Sequence, residues 1–281
     1  YEQPVQDENG VYPISNAGEL YWFADFVNQG GDNANAILTN NIVVNTLEFK
    51  DGEIVTDNKD YREWKPIGSA WGYFYKGVFD GNGHTISGLY FNDPDKDYVG
   101  LFAYNDGIIK NVGVVDSYFY GKNSVGGVCG YNYYGTIANC FNTSVVSGNN
   151  EIGGVSGSNF EGKIENCYNT GAVSGSVDVG EVCGGYNNTF ATVSNCYYLS
   201  DTDDGVSGKT AEQFADGTVA LLLHNWCETE EEDEICKEDG LDGSVWGQNV
   251  GQTIGNDAAP TLSGVLKLGP LTVAKDAAGK E

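Results

Sequence analysis

Val125-Gly126-Gly127-Val128, followed by Ile137-Ala138-Asn139-Cys140, decides the fold, because both phrases return. Ile152-Gly153-Gly154-Val155 and Ile164-Glu165-Asn166-Cys167 repeat them one unit later. Val179-Gly180-Glu181-Val182 and Val193-Ser194-Asn195-Cys196 repeat them again. Upstream, Val99-Gly100-Leu101-Phe102 with Ile109-Lys110-Asn111-Val112 is an earlier copy, and the openings step by 26, 27 and 27 residues. Between the two phrases sits an asparagine each time: Asn105, Asn132, Asn159 and Asn187. A weaker copy begins at Gly77-Val78-Phe79-Asp80 and continues through His84-Thr85-Ile86-Ser87-Gly88-Leu89.

Such a period, made of short apolar pieces with Gly and Asn at the corners, fits one coil of a parallel β-helix. Leucine-rich repeats share the period but need several Leu per unit, and a propeller blade needs roughly 40 residues. Coils stacked at the spacing of hydrogen-bonded strands place like residues over like. The expected fold is an all-β, right-handed parallel β-helix with coils of about 23–28 residues. Ile109, Ile137, Ile164 and Val193 form one expected inward ladder, and Val112, Cys140, Cys167 and Cys196 a second. Ala103, Cys129, Ser156 and Cys183 are small residues suited to a narrow interior. Asn tolerates left-handed backbone, which explains its abundance at corners.

The flanks read differently. Leu20, Phe23, Ala24 and Val27 fall at helical spacing, and Asn16 with Glu19 approximates a capping box. Residues 1–48 are therefore expected to form an N-terminal cap, with a helix at about 16–28 over the open end and a first coil at 36–45. Residues 49–203 are assigned to the repeats. Thr210-Ala211-Glu212-Gln213 opens an expected helix running to about His224. Trp246-Gly247-Gln248-Asn249 and Pro260-Thr261-Leu262 complete a cap over 204–262, and 263–281 reads as a linker or strand toward a following domain.

Composition narrows the function. The chain has 281 residues, 40 of them Gly, 28 Asn and only 6 Pro, which is turn chemistry in a folded β protein. Its net charge of −26 excludes a nucleic-acid binder and disfavours anionic membrane surfaces. No apolar run reaches the roughly 20 residues of a membrane span, so direct membrane insertion is not expected. With no Met and no leader at Tyr1, a processed or internal piece of a longer chain is expected.

Tyr12-Pro13-Ile14-Ser15-Asn16-Ala17-Gly18-Glu19-Leu20, Phe79-Asp80-Gly81-Asn82-Gly83-His84-Thr85-Ile86-Ser87-Gly88-Leu89, Gly100-Leu101-Phe102 and the Ile-x-Asn-Cys units resemble the GLUG-motif family of bacterial surface proteins. Lys209-Thr210-Ala211-Glu212-Gln213-Phe214-Ala215, Trp246-Gly247-Gln248 and Pro260-Thr261-Leu262 are similar too, so the resemblance covers about residues 11–262. The fourth motif position departs at Ala103, and Gly127, Gly154 or Glu181 replaces the Leu. The resemblance implies an extracellular, wall-attached or secreted, multi-domain protein of the adhesin-like kind. Related repeats accompany some IgA-cleaving metallopeptidases.

Catalytic signals are sparse. The two histidines, His84 and His224, lack the His-Glu-x-x-His setting of a metallopeptidase. Glycoside hydrolysis needs two facing carboxylates, and the repeats contain few acids. The expected role is a non-catalytic binding module or stalk, with a polysaccharide lyase or hydrolase as the alternative. No cofactor is required. Calcium is a candidate ligand at Asp93, Asp95 and Asp97, and at Asp201 and Asp203, where carboxylates alternate in loops. Cys227 and Cys236 bracket an acidic loop and are a candidate disulfide. The expected binding surface is aromatic: Tyr104, Tyr131, Tyr133, Tyr134, Phe160 and Tyr186 lie beside the loop asparagines. Stacked on a solenoid flank, they suit an unidentified host or matrix glycan or protein partner, with the chain a monomer within a larger protein.

Overall fold

A computed structural model describes residues 1–69, 72–186, 190–203, 206–224, 245–250, 259–264 and 266–267. The chain winds as a right-handed parallel β-helix of about seven turns, as expected. Each full coil contributes five short strands. The first face is a sheet of seven parallel strands, ordered Tyr12–Ile14, Ala36–Leu38, Val78–Asp80, Ile108–Lys110, Thr136–Ala138, Lys163–Glu165 and Thr192–Ser194. On it Ile109 pairs in register with Phe79 and Ile137, and Ile164 with Ile137 and Val193, so the expected ladder stands as one column. Each fully buried aliphatic contributes about 1.5–3 kcal/mol.

The second face carries Val112, Cys140, Cys167 and Cys196 inward, all buried. The Cys140 amide donates to Cys167 Sγ at 3.3 Å. Cys129, Cys140, Cys167, Cys183 and Cys196 are all free thiols. The third expected column needs a correction. Register aligns Cys129 with Ser156 and Ser156 with Cys183, but it aligns Cys129 with Phe102 instead of Ala103. The first opening steps by one residue fewer, which brings the larger ring inward. Phe102 fits there because Tyr75 and Phe79 surround it, with ring centroids 5.0 and 5.2 Å away.

Three asparagine ladders tie the coils together. Asn105 Nδ2 donates to Asn132 Oδ1 at 2.8 Å, and Asn132 Nδ2 to Asn159 Oδ1 at 2.9 Å. Asn142 donates to Asn169 at 2.9 Å. In the third ladder the donors run the other way, Asn195 to Asn166, Asn166 to Asn139 and Asn139 to Asn111. The members of this third ladder hold left-handed backbone, φ 55°, 52°, 53° and 46° from Asn111 to Asn195. Buried amides need such partners, since an unmatched one costs about 1–3 kcal/mol.

Helix α1, Ala17–Val27, closes the N-terminal end of the interior, with Phe23 against Tyr75 and Phe79. The Asn16 side chain accepts from the Glu19 amide. Glu19 reaches back to Ser15, one residue earlier than a regular capping box, and accepts from its amide at 2.7 Å. Residues 49–54 depart from the repeat. Phe49–Lys50 and Glu53–Ile54 pair antiparallel around Asp51-Gly52, whose positive φ values suit a tight hairpin.

The C-terminal region also departs from expectation. The helix expected from Thr210 to His224 is two: α2, Ala211–Ala215, and α3, Thr218–His224. Gly217, at φ 93°, breaks it, and Asp216 caps the second piece through the Thr218 amide. The region packs on the flank of the coils as well as extending their end. Phe141 and Tyr168 stack outward at 5.0 Å, and Phe214, Val219, Leu223, Trp246 and Leu262 cover them. An outward aromatic column cannot stay in water without cost, and this segment buries it.

Candidate functional site

A different sheet of the coil holds the aromatic residues. Strands Phe102–Asn105, Cys129–Tyr133, Ser156–Phe160 and Cys183–Tyr186 stack in parallel as one face. Alternation turns Tyr104 and Tyr131 outward from neighbouring coils, and likewise Tyr133 and Phe160. Tyr131 and Tyr133 stack at 6.0 Å, Tyr133 and Phe160 at 5.4 Å, and Tyr134 stands edge-on to Tyr133 at 4.5 Å. The structure therefore brings five of the six expected residues into one ledge.

Tyr186 is the exception. Register pairs it with Asn159, so its backbone occupies the asparagine column and not the aromatic one. Asn187, expected in that column, lies outside the described residues. Two members escaped the sequence reading. Phe74 stacks on Tyr104 at 4.4 Å, and Tyr98 lies against Tyr104 at 4.5 Å and edge-on to Tyr131 at 5.7 Å. Tyr98 was hidden because it precedes the Val99 opening, where the other coils carry Ser124, Glu151 and Asp178.

The ledge is graded in depth. Tyr104 is buried, Tyr131, Tyr133 and Phe160 are half-buried, and Tyr134 is 49% exposed. Burial raises the phenol pKa of Tyr104 well above its ordinary range, and the neighbouring Tyr98 adds to this. Tyr131 is raised by burial and by the Glu151 carboxylate. Tyr134 is raised by desolvation and by Glu161. With their pKa values raised, Tyr104, Tyr131 and Tyr134 stay protonated at neutral pH and can donate a hydrogen bond. Rings with polar tips bordered by carboxylates can stack on the apolar face of a ligand and hydrogen-bond its edge.

The acidic candidates are arranged differently. Asp93 accepts from the Asp95 amide at 3.1 Å and Asp97 from Asn123 Nδ2 at 2.8 Å, while Asp95 is exposed. Asp203 is held by Lys209 Nζ and Gln213 Nε2, both at 2.8 Å, and Asp201 is exposed. Among the described residues, no group of three His, Cys, Asp or Glu side chains is placed to hold a metal ion. His84 meets the Asn41 side chain at 3.2 Å and His224 the Trp246 carbonyl oxygen at 2.6 Å, on separate parts of the chain. Cys227 and Cys236 lie outside the described residues.

Comparison with known proteins agrees with this architecture. The GLUG motif matches twice, at residues 121–147 and 148–174. Over 81 residues, 27% of this chain, the sequence is 35% identical to a candidate Gly-rich membrane protein of Evansella cellulosilytica, of which the match spans 9%. Among solved structures, a candidate immunoglobulin A1 protease from Bacteroides ovatus superposes with a TM-score of 0.54 at 18% identity, covering 82% of this chain and 93% of that one. That likeness is one of fold. Among the described residues no helix is long and apolar enough to cross a membrane. Each motif match spans one coil of the β-helix, so two successive coils of this chain carry the GLUG motif.

Proposed function

We propose that this chain is a non-catalytic, adhesin-like module of an extracellular bacterial surface protein, binding a host or matrix glycan or protein through the aromatic ledge. The observation that carries the reading is the continuous stack of Tyr104, Tyr131, Tyr133, Tyr134 and Phe160 on one flank, whereas among the described residues the C-terminal segment packs on Phe141 and Tyr168 of a different sheet. The GLUG motifs and the similarity to part of a membrane protein support a place at the cell surface. A charge of −26 disfavours polyanionic ligands.

Binding to a mucin-coated surface tests the reading. The expected result is measurable binding by the wild-type chain and a tenfold or larger loss when Tyr131, Tyr133 and Tyr134 become Ala. Absence of binding by the folded wild-type chain makes the module a stalk, and equal binding by the two folded chains removes the ledge as the binding surface. Release of products from acidic polysaccharides makes it an enzyme.

A further inference from the structure

Next to the ledge lies a cavity of about 360 Å³ between the loop at 63–69 and the loop at 91–98. Its size falls at the lower end of the roughly 300–1,000 Å³ typical of small-ligand sites. Trp64 and Phe91 supply apolar wall, Glu63, Lys65, Asp93, Lys96 and Asp97 supply a charged rim of both signs, and Tyr98 closes one side. Tyr98 is also the ring that lies against Tyr104 and Tyr131. One side chain thus serves as a wall shared by cavity and ledge.

The backbone at Tyr98 sharpens this. Its φ is 62°, in the left-handed region. The same corner in the next coils carries Ser124, Glu151 and Asp178, also left-handed at 52°, 56° and 49°. A bulky ring there costs about 1–2 kcal/mol, and such strain gathers where a side chain must be held in place. Here it holds a phenol between the cavity and the ledge.

We propose that the cavity is a subsite for a neutral saccharide, one sugar residue stacking on Tyr98 while its chain continues over the ledge to Tyr131 and Tyr133. This rests on the reading of the ledge as a binding surface. A sugar offers an apolar C–H face to the ring, and hydroxyls that both donate and accept. Asp93 and Asp97 accept and Lys96 donates, which suits a polyol better than an ion of either sign. An anion meets the three carboxylates Glu63, Asp93 and Asp97 and the field of the whole chain, and a cation meets Lys65 and Lys96.

Saturation-transfer NMR with lactose, chitotriose and mannotriose, and with sialyllactose as the anionic control, tests the subsite on the whole chain. Tyr98→Asn removes the ring yet tolerates the left-handed corner. The exposed Lys96→Ala and Asp97→Asn changes probe the rim without touching the core. Expected are transfer to a neutral probe, and a tenfold or larger loss of affinity in Tyr98→Asn together with a threefold or larger loss in the rim variants. Absence of transfer to all three neutral probes overturns the proposal. So does wild-type affinity in Tyr98→Asn and both rim variants; a loss then confined to Tyr133→Ala leaves the ledge reading standing alone. Loss in Tyr98→Asn and the rim variants with Tyr133→Ala unchanged supports the subsite and removes the ledge from the path.

Discussion

Tyr98 and Tyr134 hold the same left-handed backbone, φ 62° and 60°, at opposite borders of the aromatic ledge, and both turn their rings onto it. Gly or Asn is the ordinary choice at such corners. Tyr134 shares its corner with Glu161, which also has positive φ. In Tyr134→Asn, relief of about 1–2 kcal/mol of backbone strain offsets the lost contacts to Tyr133 and Phe160. The unfolding free energy from urea denaturation is expected to stay within about 1 kcal/mol of wild type while ligand affinity falls several-fold. A large loss of stability contradicts the strain assignment.

Asn132 sits in the middle of a buried ladder and also donates to the Gly135 carbonyl at 2.9 Å. Asn132→Ala strips a partner from both Asn105 and Asn159, so a loss of order 3 kcal/mol is expected. Asn149 is exposed, and Asn149→Ala is expected to change stability by less than about 0.5 kcal/mol. Chemical denaturation of the pair measures the difference.

Burial raises the thiols of Cys129, Cys167 and Cys183 well above the ordinary cysteine range. The folded state therefore keeps protons that the unfolded chain releases above about pH 8.5. Stability from these groups is complete below that pH and is lost as pH climbs past it. The unfolding free energy is expected to hold steady from pH 7 to 8 and to fall between pH 8.5 and 9.5. Cys129→Ser is expected to make that fall shallower. Equilibrium denaturation at several pH values reads both slopes.

Gly88 has φ 73°, and a Cβ added there lies 1.8 Å from the Asn45 carbonyl oxygen. Asn45 Nδ2 in turn donates to the Gly88 carbonyl at 2.7 Å, joining the first coil to the next. Backbone strain and overlap with rigid backbone act together, so Gly88→Ala is expected to cost about 3 kcal/mol or more. A thermal melt within a few degrees of wild type contradicts this.

The columns were legible because a constant period carries its own register. Ile109, Ile137, Ile164 and Val193 recur at one place in the unit, and the coil superposes them. Where spacing changes by a residue, the reading slipped: Phe102 replaced Ala103, and Tyr186 fell into the asparagine column. The hairpin at 49–54 and the break at Gly217 are local turn chemistry that helical or repeat periodicity does not report. Five ledge residues were visible as aromatics beside a repeating Asn. Phe74 and Tyr98 come from outside the repeated phrases, and only folding brings them to Tyr104.

The most direct test of the binding account is a crystal structure of the chain soaked with the neutral oligosaccharide that gives the strongest saturation transfer. The account predicts sugar density with one ring against Tyr98 in the cavity and the next over Tyr131 and Tyr133. Density seated elsewhere on the solenoid, with the Tyr98 cavity holding solvent alone, contradicts it.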